Sequence, residues 1–451
     1  MNKNSVISSY MFSNNDLYRL FYPLIIEQFL VYLLGLSDSV MISHVSEAAV
    51  SGVSLIEFVM AFLGSLFAAL TTGGAVIAGQ YLGSKQINEA KEAATQLLWF
   101  STIVSLIMMV MIYLAKPVLF NVLFGQISSE VYNHANTYFM IAGLSIPFLA
   151  VYNAGAAIFR TVGNSRLPMQ IMMAMNILNV AGSATLIYGF KLGIIGVAIP
   201  TLISRILAGI IILYLVLQPE HKIHIKRNLK FHLNWEIIKK ILGIGIPYGL
   251  ENGLFYFGRI IVLSLVASFG TAAIAANAVS GTIVMFEVLP GMAIGMGLTV
   301  IISRCVGAND YDQARYFTKK IMGIIYGAHF ISCALVLALL PVILKIYGLS
   351  DTATSLTTQI VWWHAAFTVL IWPLAYSLPS IFRAAGDAKF PMIIGIAAMF
   401  FCRIALAYVL SNSFKMGMFG TWVAMFIDWI IKAVIFAYRY FNGRWTTYHA
   451  I

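Results

Sequence analysis

The sequence has little charge for its length. Only 10% of its 451 residues are Asp, Glu, Lys or Arg, whereas 60% are hydrophobic, and the mean hydropathy is +0.87. A soluble domain typically carries about 25% charged residues, which cover its surface. The scarcity of charge therefore excludes a soluble globular protein and makes the lipid bilayer the expected solvent and partner.

Cysteine and catalytic motifs are scarce as well. The three cysteines lie in or beside apolar segments without CxxC spacing, which argues against a zinc site or a disulfide framework. HExxH, P-loop, GxSxG and paired catalytic carboxylate motifs are missing, so we expect neither an enzyme nor a metal or organic cofactor. The net charge of +11 is scattered over short loops, which favours membrane orientation over a nucleic-acid partner.

Long apolar runs are the main feature that the sequence does have. About 20 residues cross the hydrocarbon core as a helix, which satisfies its own backbone polar groups in lipid. We therefore predict an all-α polytopic membrane protein. Its twelve spans are predicted at residues 18–43, 48–80, 93–115, 131–157, 167–189, 194–217, 238–267, 273–303, 317–345, 356–381, 390–410 and 417–440.

The basic residues predict the orientation of these spans. With the N-terminus inside, 20 of the 28 lysines and arginines fall in cytoplasmic segments, four in outer segments and four within spans. This is a strong positive-inside bias. We predict a multi-pass protein of the cell membrane with both termini in the cytoplasm.

The two halves of the chain resemble each other. PLIIE at 23–27 recurs as PYGLE at 247–251, and IFRTVGNSRLPM at 158–169 recurs as IFRAAGDAKFPM at 381–392. Six spans per half is an even number, so the repeat is parallel, and two such bundles would enclose a substrate site, as in a transporter. The predicted parts are an N-terminal bundle, a polar cytoplasmic linker and a C-terminal bundle, at residues 1–217, 218–236 and 237–451.

Several of these motifs, taken together, resemble one family. LSDSVMIS, GQYLG, FRTVGNSRLPM, GIPYGLENGLF and FRAAGDAKFPM occur in the order seen in bacterial multidrug and toxic compound extrusion (MATE) transporters. The resemblance covers nearly the whole chain. It implies a V-shaped fold of two pseudo-symmetric six-helix bundles and a monomeric antiporter with alternating access. Such antiporters export organic cations or amphipathic drugs in exchange for H⁺ or Na⁺.

Two other classes of function remain as alternatives. The first is a flippase for lipid-linked oligosaccharides or other lipids from a related branch; those have a more cationic cavity and often fourteen spans. The second is a receptor or membrane enzyme, which would leave the six-plus-six repeat unexplained.

Acidic residues within the spans are candidates for ion coupling, because a carboxylate in the bilayer needs a cavity, a partner or a proton. There are six: Glu27, Asp38, Glu57, Glu251, Glu287 and Asp428. Asp38 falls on the span 1 aspartate to which the resemblance assigns H⁺ or Na⁺ binding. Glu27 lies eleven residues earlier, on the same helical face. In span 5, Asn176 matches the family pattern, but Val180 stands where an aspartate is expected.

The second half departs further from the family pattern. Glu251 lies one turn before the position of the usual glutamate, which is Phe255, and Trp372 stands at the usual aspartate position of span 10. A single buried carboxylate can bind a proton, whereas Na⁺ needs several oxygens at once. The sequence therefore favours H⁺, with Asp38, Glu251, Asn176 and Glu27 as the coupling residues.

The remaining intramembrane charges are predicted to form structural ion pairs. Arg259 is expected to pair with Glu287 or with Asp38. Asp428 and Lys432 are four residues apart, so they can pair on one helix, with Arg403 beside them.

The sequence also suggests residues for a polyspecific substrate cleft. Methionine adapts to varied shapes, and aromatic faces attract organic cations. The cleft residues proposed on this basis are Met172, Met175, Tyr32, Phe255 and Trp372. The basic residues of the repeated loop motif are interpreted as structural anchors at the lipid headgroup layer rather than as substrate-binding residues: Arg160, Arg166, Arg383 and Lys389.

Overall fold

The computed structural model describes residues 10–123, 127–220, 223, 232–448 and 450–451. Within these ranges every regular element is a helix. Most of the predicted linker, 218–236, lies outside the described residues.

The helices that are long and apolar enough to cross a membrane match the predicted spans. Eleven are single helices, and a bent pair supplies the twelfth. They are numbered in chain order: α1 Asn14–Ser43, α2 Glu47–Gly83, α3 Ile87–Leu114, α4 Ser129–Thr161, α5 Arg166–Gly189, α6 Ile195–Val216, α7 Trp235–Ala267, α8 Thr271–Gly307, α9 Tyr311–Tyr347, α10 Asp351–Leu370 with Pro373–Ala385, α11 Lys389–Ser413 and α12 Met418–Phe441. Shorter helical segments are Lys116–Val118, Leu119–Leu123 and Arg444–Thr447.

Helix α10 is broken where the sequence predicted one continuous span. Its two segments meet at an angle of 59° between Leu370 and Pro373. Proline has no backbone N–H to donate and its ring clashes with the preceding turn, so a helix bends there. The hydropathy pattern does not detect the bend because the residues around it are apolar.

The start of α1 is fixed by local hydrogen bonds. The Ser13 side chain accepts from the backbone N–H of Asp16 at 3.2 Å, and the Asp16 carboxylate accepts from the backbone N–H of Ser13 at 2.8 Å. This reciprocal cap satisfies two donors that the first turn of a helix leaves free.

The internal repeat extends to the backbone. Helices α2 and α8 both have 37 residues and begin at equivalent positions of the two halves. Positive φ angles also recur at equivalent positions, 62° at Lys85 and 54° at Asn309, then 55° at Lys191 and 55° at Lys415. Non-glycine residues rarely adopt positive φ, so the repeated turns show that the two halves share one design.

The chain forms two compact units. The N-unit is Phe12–Gly245, and the C-unit is Ile246–Ile451 joined by the described residues Tyr10 and Met11. The division therefore lies inside α7 rather than in the predicted linker 218–236. Within the N-unit, the Lys240 ammonium of α7 donates to the Tyr81 hydroxyl of α2 at 3.0 Å.

Each unit has its own apolar core. In the N-unit it is built from buried residues of α1, α2, α4 and α6, including Phe67, Phe139 and Ile146. In the C-unit it is rich in tryptophan, with Trp372, Trp422 and Trp429 buried together.

The first prediction concerns a close contact between two helices of the N-unit. A Cβ atom on Gly73 of α2 would lie 2.4 Å from the backbone oxygen of Ile241 on α7, whereas a Cβ on Gly64 of the same helix meets nothing within 4 Å. We expect Gly73→Ala to destabilise the protein by about 1–3 kcal/mol, the usual cost of overpacking. Thermal unfolding followed by size-exclusion chromatography in detergent measures the effect. Gly64→Ala is the matched control, and equal melting temperatures for the two variants would contradict the prediction.

Candidate functional site

The N-unit contains a cluster of charged and polar side chains contributed by four helices. Glu57 of α2 accepts a hydrogen bond from the Tyr138 hydroxyl of α4. Asp38 of α1 interacts electrostatically with Glu57 and with Arg205 of α6. The Arg205 guanidinium donates to Ser145 at 3.0 Å. Two carboxylates and one guanidinium therefore lie together within the membrane-spanning helices.

Asp38 differs from the other members of this cluster. Its Oδ1 atom is buried and has no hydrogen-bond partner among the residues that the structure describes. A buried carboxylate oxygen without a partner is costly unless it binds a proton or a cation. The residue singled out by the sequence is thus one whose environment calls for a bound ion.

Asn176 of α5 is held by the first helix. Its amide donates to the backbone oxygen of Leu30 at 2.6 Å, and its own Oδ1 is buried without a partner in the described part of the chain. The neighbouring Asn179 donates instead to Thr201 at 3.0 Å. The Oδ1 atoms of Asn176 and Asn179 are therefore both buried acceptors without a partner in the described part of the chain.

Glu27 has a direct cationic partner, unlike Asp38. Its Oε1 accepts from Arg160 of α4 at 2.5 Å and from the Tyr152 hydroxyl at 3.0 Å. The same hydroxyl lies 3.0 Å from the Pro168 backbone oxygen, which is a second acceptor for its one proton. Glu27 is 1% exposed. The predicted coupling residue is therefore part of a buried ion pair.

The C-unit contains the repeat counterpart of this pair. Arg383 donates to Glu251 at 2.7 Å, and its guanidinium lies 4.1 Å from the centre of the Tyr248 ring. In the aligned repeat motifs, Glu251 corresponds to Glu27 and Arg383 to Arg160. The interpretation of both arginines as headgroup anchors is wrong. The two side chains are buried against glutamates because the last turns of α4 and α10 direct them inward.

Glu287 pairs with a histidine and not with Arg259. Its Oε2 lies 2.5 Å from Nδ1 of His364, and both side chains are buried. His364 also contacts the Thr368 hydroxyl at 3.1 Å, and the Thr368 backbone oxygen lies 3.2 Å from Nδ1 of His329. The expected Arg259–Glu287 pair is thus wrong. The packing of α8 against α10 brings Glu287 to His364, a proximity that spacing along the sequence does not reveal.

Arg259 has a cationic neighbour. Its side chain is exposed, and its electrostatic partners are Arg403, Tyr256 and Tyr376. No carboxylate of the described residues lies within ion-pair distance of it.

The other predicted cluster lies on α11 and α12. The Lys432 ammonium donates to Asp428 Oδ2 at 3.1 Å, and Arg403 Nη1 lies 3.9 Å from the same oxygen. The spacing of four residues on α12 brings the first pair together, as expected from helix geometry.

The residues proposed for a substrate cleft occupy different environments. Met172 and Met175 are buried in α5, and Tyr32 is half-buried. Trp372 is buried against Tyr376 and His329, with ring centres 5.2 Å and 4.9 Å apart. Burial of this kind is typical of packing residues, so a substrate-binding role for the two methionines and Trp372 stays a prediction.

Two functional candidates were not placed by sequence reasoning. Glu57 was recognised as an intramembrane acid but not as a neighbour of Asp38, and His329 was not singled out. In the sequence, each of these two residues stands out only as a titratable residue inside an apolar run. Their neighbours come from other helices, which no local pattern identifies.

Comparisons with known proteins agree with this architecture. The MatE family model matches residues 23–185 and 247–409, one segment in each half of the repeat. The uncharacterized transporter YisQ of Bacillus subtilis (strain 168) is 27% identical over 441 residues, 95% of this chain and 94% of YisQ. The probable multidrug resistance protein NorM of Thermotoga maritima is 23% identical over 446 residues, 95% of this chain and 92% of NorM.

Solved structures show the same fold. The outward-facing conformation of a multidrug resistance MATE family transporter of the MOP superfamily has a TM-score of 0.88 at 19% identity, covering 95% of each chain. A MATE structure in the bent conformation has a TM-score of 0.86 at 20% identity, covering 95% of this chain and 94% of the other. With twelve candidate spans, a duplicated family match and this fold, the chain belongs to the MATE family of bacterial multidrug efflux transporters, multi-pass plasma membrane proteins that are not enzymes.

Proposed function

We propose that the protein is a secondary antiporter that exports organic cations or amphipathic drugs in exchange for H⁺, with both termini in the cytoplasm. The observation that carries the proposal is the buried, unpaired Oδ1 of Asp38 beside Glu57 in the described part of the chain. Relatives that are named multidrug resistance proteins support the class of substrate.

Antiport follows from competition for negative charge. An ionised Asp38 attracts an organic cation, and a protonated Asp38 does not. Each ligand therefore lowers the affinity for the other by the same factor, as thermodynamic linkage requires. The Arg205 charge limits how much negative potential the cluster has.

We assign Glu27 and Glu251, which are ion-paired with arginines, a smaller role in ion coupling than Asp38. Protonation of Glu27 or Glu251 would leave Arg160 or Arg383 buried without its counter-charge, which is costly. Glu251 is 21% exposed, so of the two it has easier access to water and protons.

The choice of H⁺ over Na⁺ rests on the number of oxygens. Na⁺ needs several oxygen ligands together, whereas one carboxylate oxygen suffices for a proton. The second carboxylate beside Asp38, that of Glu57, already accepts a hydrogen bond from Tyr138, which leaves Asp38 as the acid for the coupling ion.

The second prediction tests the coupling ion. Purified protein in liposomes should export ethidium when a pH gradient is imposed and show no response to a Na⁺ gradient at constant pH. Glu251→Gln should slow pH-driven efflux by several-fold without abolishing it. Efflux that responds only to Na⁺ would overturn the proton assignment, and no efflux with either gradient would overturn the antiport proposal.

A further inference from the structure

The C-unit holds more positive than negative charge in one cluster of its helices. Lys432 of α12 interacts electrostatically with Tyr376, with Asp428 and with Arg403 of α11, and Arg259 of α7 interacts with Arg403 and Tyr376. Lys432 and Arg403 both approach a single oxygen of Asp428, at 3.1 and 3.9 Å. The cluster therefore contains three cations and one carboxylate, and two of the cations approach that carboxylate directly.

Among the residues that the structure describes, no other acid contacts this cluster directly. A further acid, Glu287, is linked to the cluster through His364, which contacts Glu287 and interacts electrostatically with Arg403. If Glu287 is ionised, a positive surplus of one charge remains; if it is protonated, the surplus is two. A charged side chain in the bilayer costs about 2.5–3.5 kcal/mol even on the most lenient scale, so unbalanced cations indicate a function.

The cations are only partly satisfied by the described part of the protein. Arg403 Nη1 is buried and makes no hydrogen bond there, and Oδ1 of Asp428 is also buried without a partner. The Arg403 guanidinium lies 4.7 Å from the centre of the Phe255 ring, and the Lys432 ammonium 5.2 Å from that of Tyr376. Aromatic faces stabilise these charges in part but leave their N–H groups free for an anion.

The arginines that produce the surplus of positive charge occur in the C-terminal half of the repeat and have no counterparts in the N-terminal half. Gly35 stands at the N-unit position that corresponds to Arg259, and Asn179 at the position that corresponds to Arg403. The shared fold therefore does not require these arginines. Arginine is well suited to an anionic ligand because its planar fork binds carboxylate or phosphate oxygens in pairs.

We propose that Arg259 and Arg403, with Lys432, form a subsite for the anionic group of a ligand: a carboxylate, phosphate or sulfonate. In an exporter, this subsite would extend the substrates to zwitterionic and anionic amphiphiles. That extension rests on the transport function proposed above, whereas binding of the anion does not.

A matched pair of dyes provides the test. Rhodamine 110 carries a free carboxylate, and rhodamine 123 is its methyl ester without that negative charge. Binding of each dye is measured by fluorescence anisotropy on the full-length protein in a non-ionic detergent. We expect Arg403→Gln and Arg259→Gln to raise the Kd for rhodamine 110 about tenfold, the usual effect of losing one charged hydrogen bond. The Kd for rhodamine 123 should change less than about twofold.

Controls separate the subsite from a loss of fold or of overall charge. Arg403→Lys keeps the charge but not the planar fork, so it should weaken rhodamine 110 binding less than Arg403→Gln does. Lys345→Gln, which removes an exposed charge, should leave both dyes unaffected. Arg259 is exposed, so its variant is expected to fold. Equal changes for both dyes, or none, would overturn the proposal.

A further binding experiment with added lipids distinguishes two sources of the anionic group, a lipid headgroup and a transported molecule. Phosphatidylglycerol and phosphatidylcholine are added to the same binding assay. Displacement of rhodamine 110 by phosphatidylglycerol alone, lost in Arg403→Gln, would assign the site to a lipid headgroup; no displacement would assign it to a transported molecule. Failure of ethidium efflux with intact rhodamine 110 selectivity would sink the proposed function and leave the subsite standing.

Discussion

Asp38→Asn is expected to abolish the response of efflux to a pH gradient. The asparagine has the same size but cannot bind or release a proton, so the exchange of H⁺ for substrate loses its shared site. Coupling free energies between two ligands are typically about 1–3 kcal/mol, which corresponds to about 5–150-fold in affinity. Gradient-driven ethidium efflux from liposomes should therefore fall by at least about fivefold, towards the rate seen without a gradient.

The binding of ethidium provides a second measure of the same change. In the unmodified protein, lowering the pH protonates the carboxylate, removes its negative charge and weakens the binding of the cation. In Asp38→Asn this pH dependence should disappear. Asp312→Asn is the matched control because its carboxylate is almost fully exposed, at 98%. An Asp38→Asn variant with unchanged gradient-driven efflux and an unchanged pH dependence would contradict the assignment.

Glu57→Gln separates the roles of the two neighbouring carboxylates. Glu57 already accepts a hydrogen bond from Tyr138, whereas Asp38 Oδ1 has no partner among the described residues. We therefore expect Glu57→Gln to retain pH-driven efflux at a reduced rate. Loss of the response in Glu57→Gln but not in Asp38→Asn would move the coupling site to Glu57.

Arg160→Met is expected to cause the largest loss of stability among single substitutions of charged residues. It would leave Glu27 buried, at 1% exposure, without its cationic partner. Removing one member of a buried ion pair costs about 3–5 kcal/mol, because the remaining charge is uncompensated. Thermal unfolding in detergent should show a clear decrease in melting temperature.

The double variant Glu27→Gln with Arg160→Met should recover much of this loss. Without either charge, the site needs no counter-ion, and neutral replacements of buried pairs are often tolerated. Arg166→Met, in the same loop motif but exposed, is the control and should have little effect. A double variant as unstable as Arg160→Met alone would show that the arginine acts through packing and not through its charge.

The sequence predicted the helices better than the contacts between them. Apolar runs give the spans directly because the bilayer imposes a length of about 20 residues on each. The break of α10 near Pro373 was missed, because the residues around it are apolar and hydropathy does not register a bend. The same limit applied to Arg160, whose position near the end of a helix suggested a headgroup anchor.

The charged side chains show the same division between local and tertiary information. Asp428 and Lys432 are four residues apart, and helix geometry alone brings them together. Glu287 and His364 are separated by 77 residues, and Glu27 and Arg160 by 133. Which distant helices meet, and at what depth, depends on packing in three dimensions.

The sequence by itself determined that this is a duplicated helical membrane protein with acidic residues inside its spans. The bilayer explains this success, because a segment that crosses it as a helix must be long, apolar and nearly free of charge, and these properties can be read from the local sequence. Only the tertiary structure decided which acids have cationic partners in the described part of the chain and which do not. Glu27 and Glu251 are paired with arginines and Glu287 with a histidine, whereas Asp38 has no ion-pair partner among the described residues, because helix packing across long stretches of chain decides which side chains meet.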